Sequence, residues 1–302
     1  GGGDGAVGAR FSQIVSTLET TTSQVFSSIE NIIGSTENDN IVGNSSKNTL
    51  RGGAGNDKIY GIAGANSLYG DSGNDTIFSG TGSDYIDGGA DNNTVDYTNA
   101  HNSSNVRVNL SGSAQTLNAT TTNNMTGATS AMTDTLVDIQ NVNTGAGNDT
   151  IWGSSTKNMI DSGAGNDTIF SGSGNDTIYG GTATDVGTEQ DWVSFQNALA
   201  GVTVNLNKVS TDVVTDVFTG ATGYATSTAT GIDSLFGIEN IIGSANKDTV
   251  TLRDTEVNTI YAGAGSDIIK AGTTAYKGGN TIDGFGVTGT QDSSDSDTMD
   301  YS

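Results

Sequence analysis

Branched aliphatic residues recur at every ninth position over long stretches of this chain, and the positions between them are mostly glycine, asparagine, aspartate and threonine. A fixed short period is typical of solenoids, in which stacked repeats share one core. We therefore predict a series of short strands, each with one aliphatic side chain inside. The series are Ile32, Ile41, Leu50, Ile59, Leu68, Ile77, Ile86 and Val95; Val142, Ile151, Ile160, Ile169 and Ile178; and Ile241 and Val250.

The residues that precede these aliphatic positions form a recurring loop. Seven segments have the form x-Gly/Asp-x-Gly-Asn/Ser-Asp, and in each of them one residue and then an isoleucine follow the aspartate. The segments are Gly52 to Asp57, Gly70 to Asp75, Ser79 to Asp84, Thr144 to Asp149, Ser162 to Asp167, Ser171 to Asp176 and Ala262 to Asp267. Glycines at the first, second and fourth positions are expected to let the loop turn with positive φ and to point carbonyl oxygens inward.

These segments resemble the GGxGxDxUx calcium-binding nonapeptide of the RTX family. The resemblance covers roughly residues 27–98, 137–195 and 237–301. It implies an all-β fold, a parallel β-roll or β-helix, in which six residues turn around an ion and three form a strand. Two nonapeptides make one coil, so that loops 18 residues apart stack on the same edge.

Calcium prefers six to eight oxygen ligands, and the loops offer aspartate carboxylates and backbone carbonyls. We expect several Ca²⁺ ions, bound between stacked coils, so that binding and folding are coupled. Rows of Asp39, Asp57 and Asp75, and of Asp149, Asp167 and Asp185, are predicted to bind calcium before the edges that carry Asn48, Asn66 and Asn158. The third roll is expected to bind less well, because Asp248 and Asp267 are separated by 19 residues.

The candidate metal ligands comprise the loop aspartates with the glycine, serine and threonine positions of the same loops. They are Asp39, Gly52, Gly53, Gly55, Asp57, Gly70, Gly73, Asp75, Ser79, Gly80, Gly82, Asp84, Thr144, Gly145, Gly147, Asp149, Ser162, Gly163, Gly165, Asp167, Ser171, Gly172, Gly174, Asp176, Asp185, Asp248, Gly263, Gly265 and Asp267.

A longer period suggests how the rolls are arranged along the chain. Related segments, Ile29 to Ser35, Ile139 to Asn143 and Ile238 to Ser244, recur at intervals of 110 and 99 residues. We predict an N-terminal linker or short helix (1–26), roll 1 (27–98), an accessory strand and loop (99–136), roll 2 (137–195), a second accessory strand and loop (196–236) and roll 3 (237–302). Thr- and Asn-rich stretches at 111–135 and 207–230 are expected to be loops, and roll 3 looks cut in mid-repeat.

The composition limits the kinds of partner that the chain is expected to bind. The chain has 11 basic and 34 acidic residues, a formal net charge of −23, and no cysteine. Nucleic acid and anionic membranes need a basic surface, so neither is expected to bind, whereas multivalent cations are. Outward aromatic pairs, Tyr60 with Phe78 and Trp152 with Phe170, either form an interface or are covered by strands at 106–110 and 202–206.

No catalytic constellation is expected. His101 is the only histidine, which excludes an HExxH zinc motif, and no G-x-S-x-G segment presents a serine nucleophile. Two G-x-G-x-x-G matches lack the strand–helix context of a dinucleotide site.

The preferred hypothesis is a structural segment of a secreted bacterial cell-surface protein, either a surface layer or an adhesin. The resemblance implies type I secretion and folding outside the cell, and the partners would be copies of itself or other surface components. The alternative is the calcium-triggered secretion and folding tail of a toxin, lipase or protease without its catalytic domain. Ice binding is disfavoured, since only one of the seven loops, with Thr81, has threonine at the third position.

Overall fold

The computed structural model describes residues 29–98, 105–110, 118–122, 131–181, 189–206, 222–227, 231–252, 257–270, 280–283 and 297–300. These residues form two compact units. Residues 29–98, 118 and 132–139 belong to the first unit, and the other described residues belong to the second. The helix considered near the N-terminus lies outside the described residues, as does Asp185.

The described chain is all-β, and most of its strands are three residues long. In chain order they are β1 Asn31–Ile33, β2 Asn40–Val42, β3 Thr49–Ala54, β4 Lys58–Tyr60, β5 Ser67–Ser72, β6 Thr76–Phe78, β7 Tyr85–Asp87, β8 Thr94–Asp96, β9 Arg107–Asn109, β10 Asn118–Thr122, β11 Ala131–Val137, β12 Asn141–Asn143, β13 Thr150–Trp152, β14 Met159–Asp161, β15 Thr168–Phe170, β16 Thr177–Tyr179, β17 Trp192–Ser194, β18 Thr203–Asn205, β19 Thr222–Ser227, β20 Gly231–Phe236, β21 Asn240–Ile242, β22 Thr249–Thr251, β23 Thr259–Tyr261, β24 Ile268–Lys270, β25 Thr281–Asp283 and β26 Thr298–Asp300.

In the first unit, successive strands alternate between two parallel sheets. One sheet has the order β1-β3-β5-β7-β11 and the other the order β2-β4-β6-β8. Strands 18 residues apart pair in register, so that Ile41 lies opposite Ile59 and Leu50 lies opposite Leu68. This arrangement, with one coil for every two nonapeptides, confirms the parallel β-roll that the resemblance to RTX repeats implies.

The second unit continues the same parallel pattern around one antiparallel insertion. One sheet has the order β9-β13-β15-β17-β21-β23-β25, and its neighbouring strands are parallel. The other contains β12-β14-β16-β20 and β18-β22-β24-β26, all parallel, with β19 antiparallel to both β20 and β18. We call strands β19 and β20 the insertion. It returns the chain to the parallel sheet, because β20 pairs with β16 in parallel.

The ninth-position aliphatics form the core of both units. Leu50, Ile59, Ile151 and Ile169 are fully buried, and Ile32, on the terminal strand β1, is half-buried. Parallel pairing places each of these side chains directly above the equivalent one in the next coil. Burial of one such side chain is worth about 1.5–3 kcal/mol relative to exposure.

One sequence expectation is corrected by the strands. The stretches 111–135 and 207–230 were expected to be loops, but their described parts include β10, the start of β11 and β19. Threonine-rich segments favour strands because β-branched side chains fit a pleated surface. The strands β9 and β18 lie within the sheets as parallel neighbours of β13 and β22.

The outward aromatic residues stack on one another along each roll. The ring centroids of Tyr60 and Phe78 are 4.3 Å apart, and those of Trp152 and Phe170 are 5.2 Å apart. The guanidinium of Arg107, on β9, lies over the Trp152 ring at 5.2 Å. All four aromatic residues are half-buried, so neighbouring residues cover each stacked pair only in part.

Candidate metal centre

The last residue of each loop hydrogen-bonds to the equivalent residue of a neighbouring coil. In the first unit the backbone N–H of Asp39 donates to Oδ1 of Asp57 (2.8 Å), and that of Asp57 donates to Oδ1 of Asp75 (2.8 Å). The N–H of Asp75 then donates to Oδ1 of Asn93 (3.0 Å). We call such a series of residues a ladder. It brings the predicted row Asp39, Asp57 and Asp75 together.

Four further ladders follow the same rule, with N···O distances between 2.6 and 3.1 Å. Asn48, Asn66, Asp84 and Asp134 form ladder 2; Val106, Asp149, Asp167, Asp191 and Glu239 form ladder 3; Asn158, Asp176 and Asp233 form ladder 4; and Val202, Asp248, Asp267 and Asp297 form ladder 5. The series from Asp39 to Asn93 is ladder 1. The 19-residue step in ladder 5 is thus absorbed without loss of the contact.

Four ladder aspartates lie outside the seven recurring loop segments and were missed by sequence reasoning. They are Asp134, Asp191, Asp233 and Asp297. After each of them come one residue and then an aliphatic residue or methionine, as after every loop aspartate. That short Asp-x-aliphatic signal could have located them. The position after Asp167 in ladder 3 is occupied by Asp191.

The second carboxylate oxygen of the ladder aspartates, Oδ2, is the atom that is available to bind a cation. In seven of them Oδ2 is buried and accepts no hydrogen bond of normal geometry: Asp57, Asp75, Asp84, Asp149, Asp167, Asp176 and Asp233. These residues are at most 2% exposed. A buried carboxylate oxygen without a partner is costly, and a bound cation is the usual way to satisfy it.

A glycine at the first position of the loop leaves room for the Oδ2 atom of the loop aspartate. A Cβ added at Gly52 would lie 2.1 Å from Oδ2 of Asp57 and 2.7 Å from the carbonyl oxygen of Gly70. Positive φ is found at the second and fourth positions of the loop, as at Gly53 (112°) and Gly55 (113°). The first position, expected to have positive φ as well, does not adopt it at Gly52, where the glycine instead avoids the carboxylate.

Burial raises the pKa of these carboxyl groups. It raises that of Asp84, Asp149 and Asp176 to about 6, and that of Asp167 and Asp233 to about 7. The loops of roll 2 have hydroxyl residues at the first position, and those of Thr144 and Ser162 partly offset the rise at Asp149 and Asp167.

Asp191 is the extreme case. Burial raises its pKa to about 9, with added repulsion from the carboxylates of Asp167, Glu239 and Glu189. A cation beside ladder 3 would relieve both effects, since it favours the charged form of each carboxyl group.

Asparagine in the same position fills the loop with its own amide. Nδ2 of Asn66 donates to the carbonyl oxygens of Gly61 (3.3 Å), Ala63 (3.2 Å) and Gly64 (3.1 Å). Nδ2 of Asn158 donates to the carbonyl oxygen of Gln140 at 2.6 Å. Oδ1 of Asn66 keeps the ladder bond from the N–H of Asn48, whereas Oδ1 of Asn158 accepts from the N–H of Ser154 within its own loop. Nδ2 of Asn66 therefore lies where an aspartate loop presents an oxygen.

The donor set fits calcium. Within the described part of the chain no three His, Cys, Asp or Glu side chains group together as a metal site. The candidate sites consist instead of one or two ladder carboxylates with the carbonyl oxygens of the surrounding glycine-rich loop. Hard oxygen donors of mixed charge suit Ca²⁺ and do not suit the softer metals that prefer sulfur or imidazole.

A parallel roll with carboxylates and carbonyls between its coils is the architecture of a calcium-binding solenoid. Comparison with protein families matches the RTX calcium-binding nonapeptide repeat at residues 33–61, 60–95, 139–169, 152–186 and 255–273. The chain thus contains RTX repeats, as the nonapeptides indicate, and these repeats bind several Ca²⁺ ions. No curated protein matches the chain.

RTX repeats are typical of secreted proteins. In the residues that the structure describes, no helix has the length and apolar character needed to cross a membrane.

Proposed function

We propose that this chain is a non-catalytic, calcium-dependent structural segment of a secreted bacterial cell-surface protein, a surface layer or a large adhesin. It folds when calcium binds between its coils outside the cell. The observation that carries the proposal is the set of buried Oδ2 atoms along the ladders.

The physical argument starts from the metal-free chain. Asp149 and Asp167 are adjacent in ladder 3, and repulsion between them adds to the effect of burial on the pKa of Asp167. A formal net charge of −23 adds a general repulsion that opposes compaction. Calcium removes both costs, because one ion satisfies carboxylates from successive coils. Its binding free energy then becomes folding free energy.

Extracellular calcium supports the proposed location. Extracellular calcium modules bind with dissociation constants of roughly 10⁻⁴–10⁻³ M. A segment of this affinity stays unfolded where calcium is scarce and folds where it is abundant, which suits export as an unfolded chain.

The long period favours a surface protein over an enzyme's tail. Related segments recur at 110 and 99 residues, as in a chain built from many similar blocks. Further blocks of this length in the flanking sequence would support a surface layer or adhesin, assembled with copies of itself or other surface components. A catalytic domain upstream would support the secretion-tail alternative.

The first experiment is a calcium titration of the metal-stripped chain followed by far-ultraviolet circular dichroism, with magnesium as the control. We expect a cooperative rise in β-sheet signal with calcium alone, because Mg²⁺ keeps its water and needs a stricter octahedral site. A metal-stripped chain that is already folded and does not respond to calcium would overturn the proposal.

A further inference from the structure

The sheet of the second unit contains a long jump between adjacent strands. Strand β16 pairs with β20 in parallel register, so that Ile178 lies opposite Leu235. The ladder bond joins the same two strands, because the N–H of Asp176 donates to Oδ1 of Asp233 at 3.1 Å. These two aspartates are 57 residues apart in sequence, whereas neighbouring loop aspartates of the regular roll are 18 apart.

Three buried oxygens near this junction have no hydrogen bond of normal geometry. They are Oγ of Ser171, Oδ2 of Asp176 and Oδ2 of Asp233. The three residues are at most 1% exposed. Ser171 is close enough to the Asp233 carboxyl group to lower its pKa, although burial dominates and raises it.

The loop from Ser171 to Asp176 is one of the seven recurring loops, and its glycines have positive φ, as those at the same positions of most of the other loops do. Gly172 and Gly174 adopt φ of 92° and 140°. Strand β20 comes close to this loop, since a Cβ added at Gly231 would lie 1.8 Å from the carbonyl oxygen of Gly174. Backbone carbonyls, two carboxylates and one hydroxyl are hard oxygen donors of the kind that Ca²⁺ takes.

We propose that Ser171, Asp176 and Asp233 form a calcium site that closes the roll across the insertion, with Asp233 as a ligand supplied from outside the repeats. The family matches end at residue 186 and resume at 255, so Asp233 lies in neither. The proposal rests on the proposed function, because it assumes that the regular loops bind calcium.

This site gives calcium a second role besides binding to the regular coils, which is to hold the returning strand in place. Strand β20 is antiparallel to β19, and it returns the chain to the parallel sheet beside β16. An ion held by Asp176 and Asp233 fixes the register of that return. The remote segment is thereby joined to the roll by the metal as well as by strand pairing.

The test is the Asp233→Asn variant of the full chain. Asparagine keeps Oδ1 for the ladder bond and removes the anionic ligand, and Asn66 shows that an amide is accommodated in such a position. We expect native mass spectrometry at saturating calcium to count one ion fewer than in the wild type. Calcium should also cease to slow hydrogen exchange in β20.

The matched control is Asp96→Asn. Asp96 is also buried, at 8% exposure, but its Oδ1 accepts hydrogen bonds from the N–H (2.8 Å) and Oγ1 of Thr98, within its own turn. Its ion count and the calcium-dependent protection of β20 should match the wild type.

The outcomes separate the two proposals. A wild-type chain that binds no calcium removes the proposed function and this site together. An Asp233→Asn chain that binds the wild-type number of ions, with β20 still protected by calcium, overturns this site alone. If Asp233→Asn does not fold, Ser171→Ala decides: the calcium midpoint for protection of β20 should rise about fivefold on loss of one neutral oxygen, and an unchanged midpoint overturns the site.

Discussion

At the scale of single residues, aspartate and asparagine at the end of the loop perform the same structural task with opposite consequences. Both supply Oδ1 to the backbone of the adjoining coil, as Asp75 and Asn66 do. The second atom differs: Oδ2 of Asp75 is buried without a partner, whereas Nδ2 of Asn66 donates to carbonyl oxygens of its own loop. We infer that the amide takes the place of the ion, so that these loops hold their shape without calcium.

This inference predicts that Asn66→Asp creates a calcium site. The new carboxylate would face the carbonyl oxygens of Gly61, Ala63 and Gly64, with Asp84 next in the ladder. We expect one more bound ion by native mass spectrometry. Without calcium, stability should fall by about 1–3 kcal/mol, because buried acceptors lose their donor.

Asn74→Asp is the control for the added charge. Asn74 is exposed, and its Oδ1 accepts a hydrogen bond from the N–H of Asn92 (2.9 Å), which an aspartate would preserve. No additional ion is expected in this variant. Equal ion counts in wild type and Asn66→Asp would show that the loop lacks the remaining ligands.

At the scale of strands, the sequence determines the regular coils fully and the insertions only in part. The nine-residue period predicts the short strands and their buried aliphatic side chains, and the resemblance to RTX repeats implies their parallel pairing and the 18-residue register. The ladder aspartates of the insertions, Asp134 and Asp233, could not be placed this way. Their partners, Asp84 and Asp176, are 50 and 57 residues away, and only folding reveals which strand returns beside which.

The same regularity predicts a high cost for a cavity in the core. Ile169 is fully buried in β15 and lies opposite Ile151 and Val193 of the adjacent strands. We expect Ile169→Ala to destabilise the calcium-loaded chain by about 2–5 kcal/mol, measured by urea unfolding in saturating calcium.

Met159→Ala is the comparison on the same roll. Met159 is 40% exposed in β14, and its truncation should change stability by no more than about 0.5 kcal/mol. Equal losses in the two variants would mean that the aliphatic column does not carry the stability of the roll.

At the scale of the whole molecule, protons and calcium compete for the same buried carboxylates. Burial raises the pKa of Asp84, Asp149 and Asp176 to about 6, and that of Asp167 and Asp233 to about 7. An unfolded aspartate titrates near 3.9. Between about pH 4 and pH 7, the folded metal-free chain therefore holds more protons than the unfolded chain.

The pH dependence follows from this difference in bound protons. The free energy of unfolding of the metal-free chain should fall as pH rises from about 4 to about 7. We expect more β-sheet signal at pH 5 than at pH 7.5 when a chelator is present. Calcium must displace those protons, so the calcium midpoint should be higher at pH 5. A metal-free chain that gains stability between pH 5 and pH 7.5 would contradict the raised pKa values.

The ladder bonds also have a direction. In all five ladders the amide belongs to the earlier segment and the accepting oxygen to the later one, as between Asp57 and Asp75 or between Asp248 and Asp267. In each of these bonds the later segment supplies the side chain that holds the backbone of the earlier loop, whereas the backbone bonds between strands run in both directions, as from Gly34 to Arg51 and from Lys58 to Asp39. Replacing one loop aspartate therefore changes two loops, its own and the one before it in the ladder.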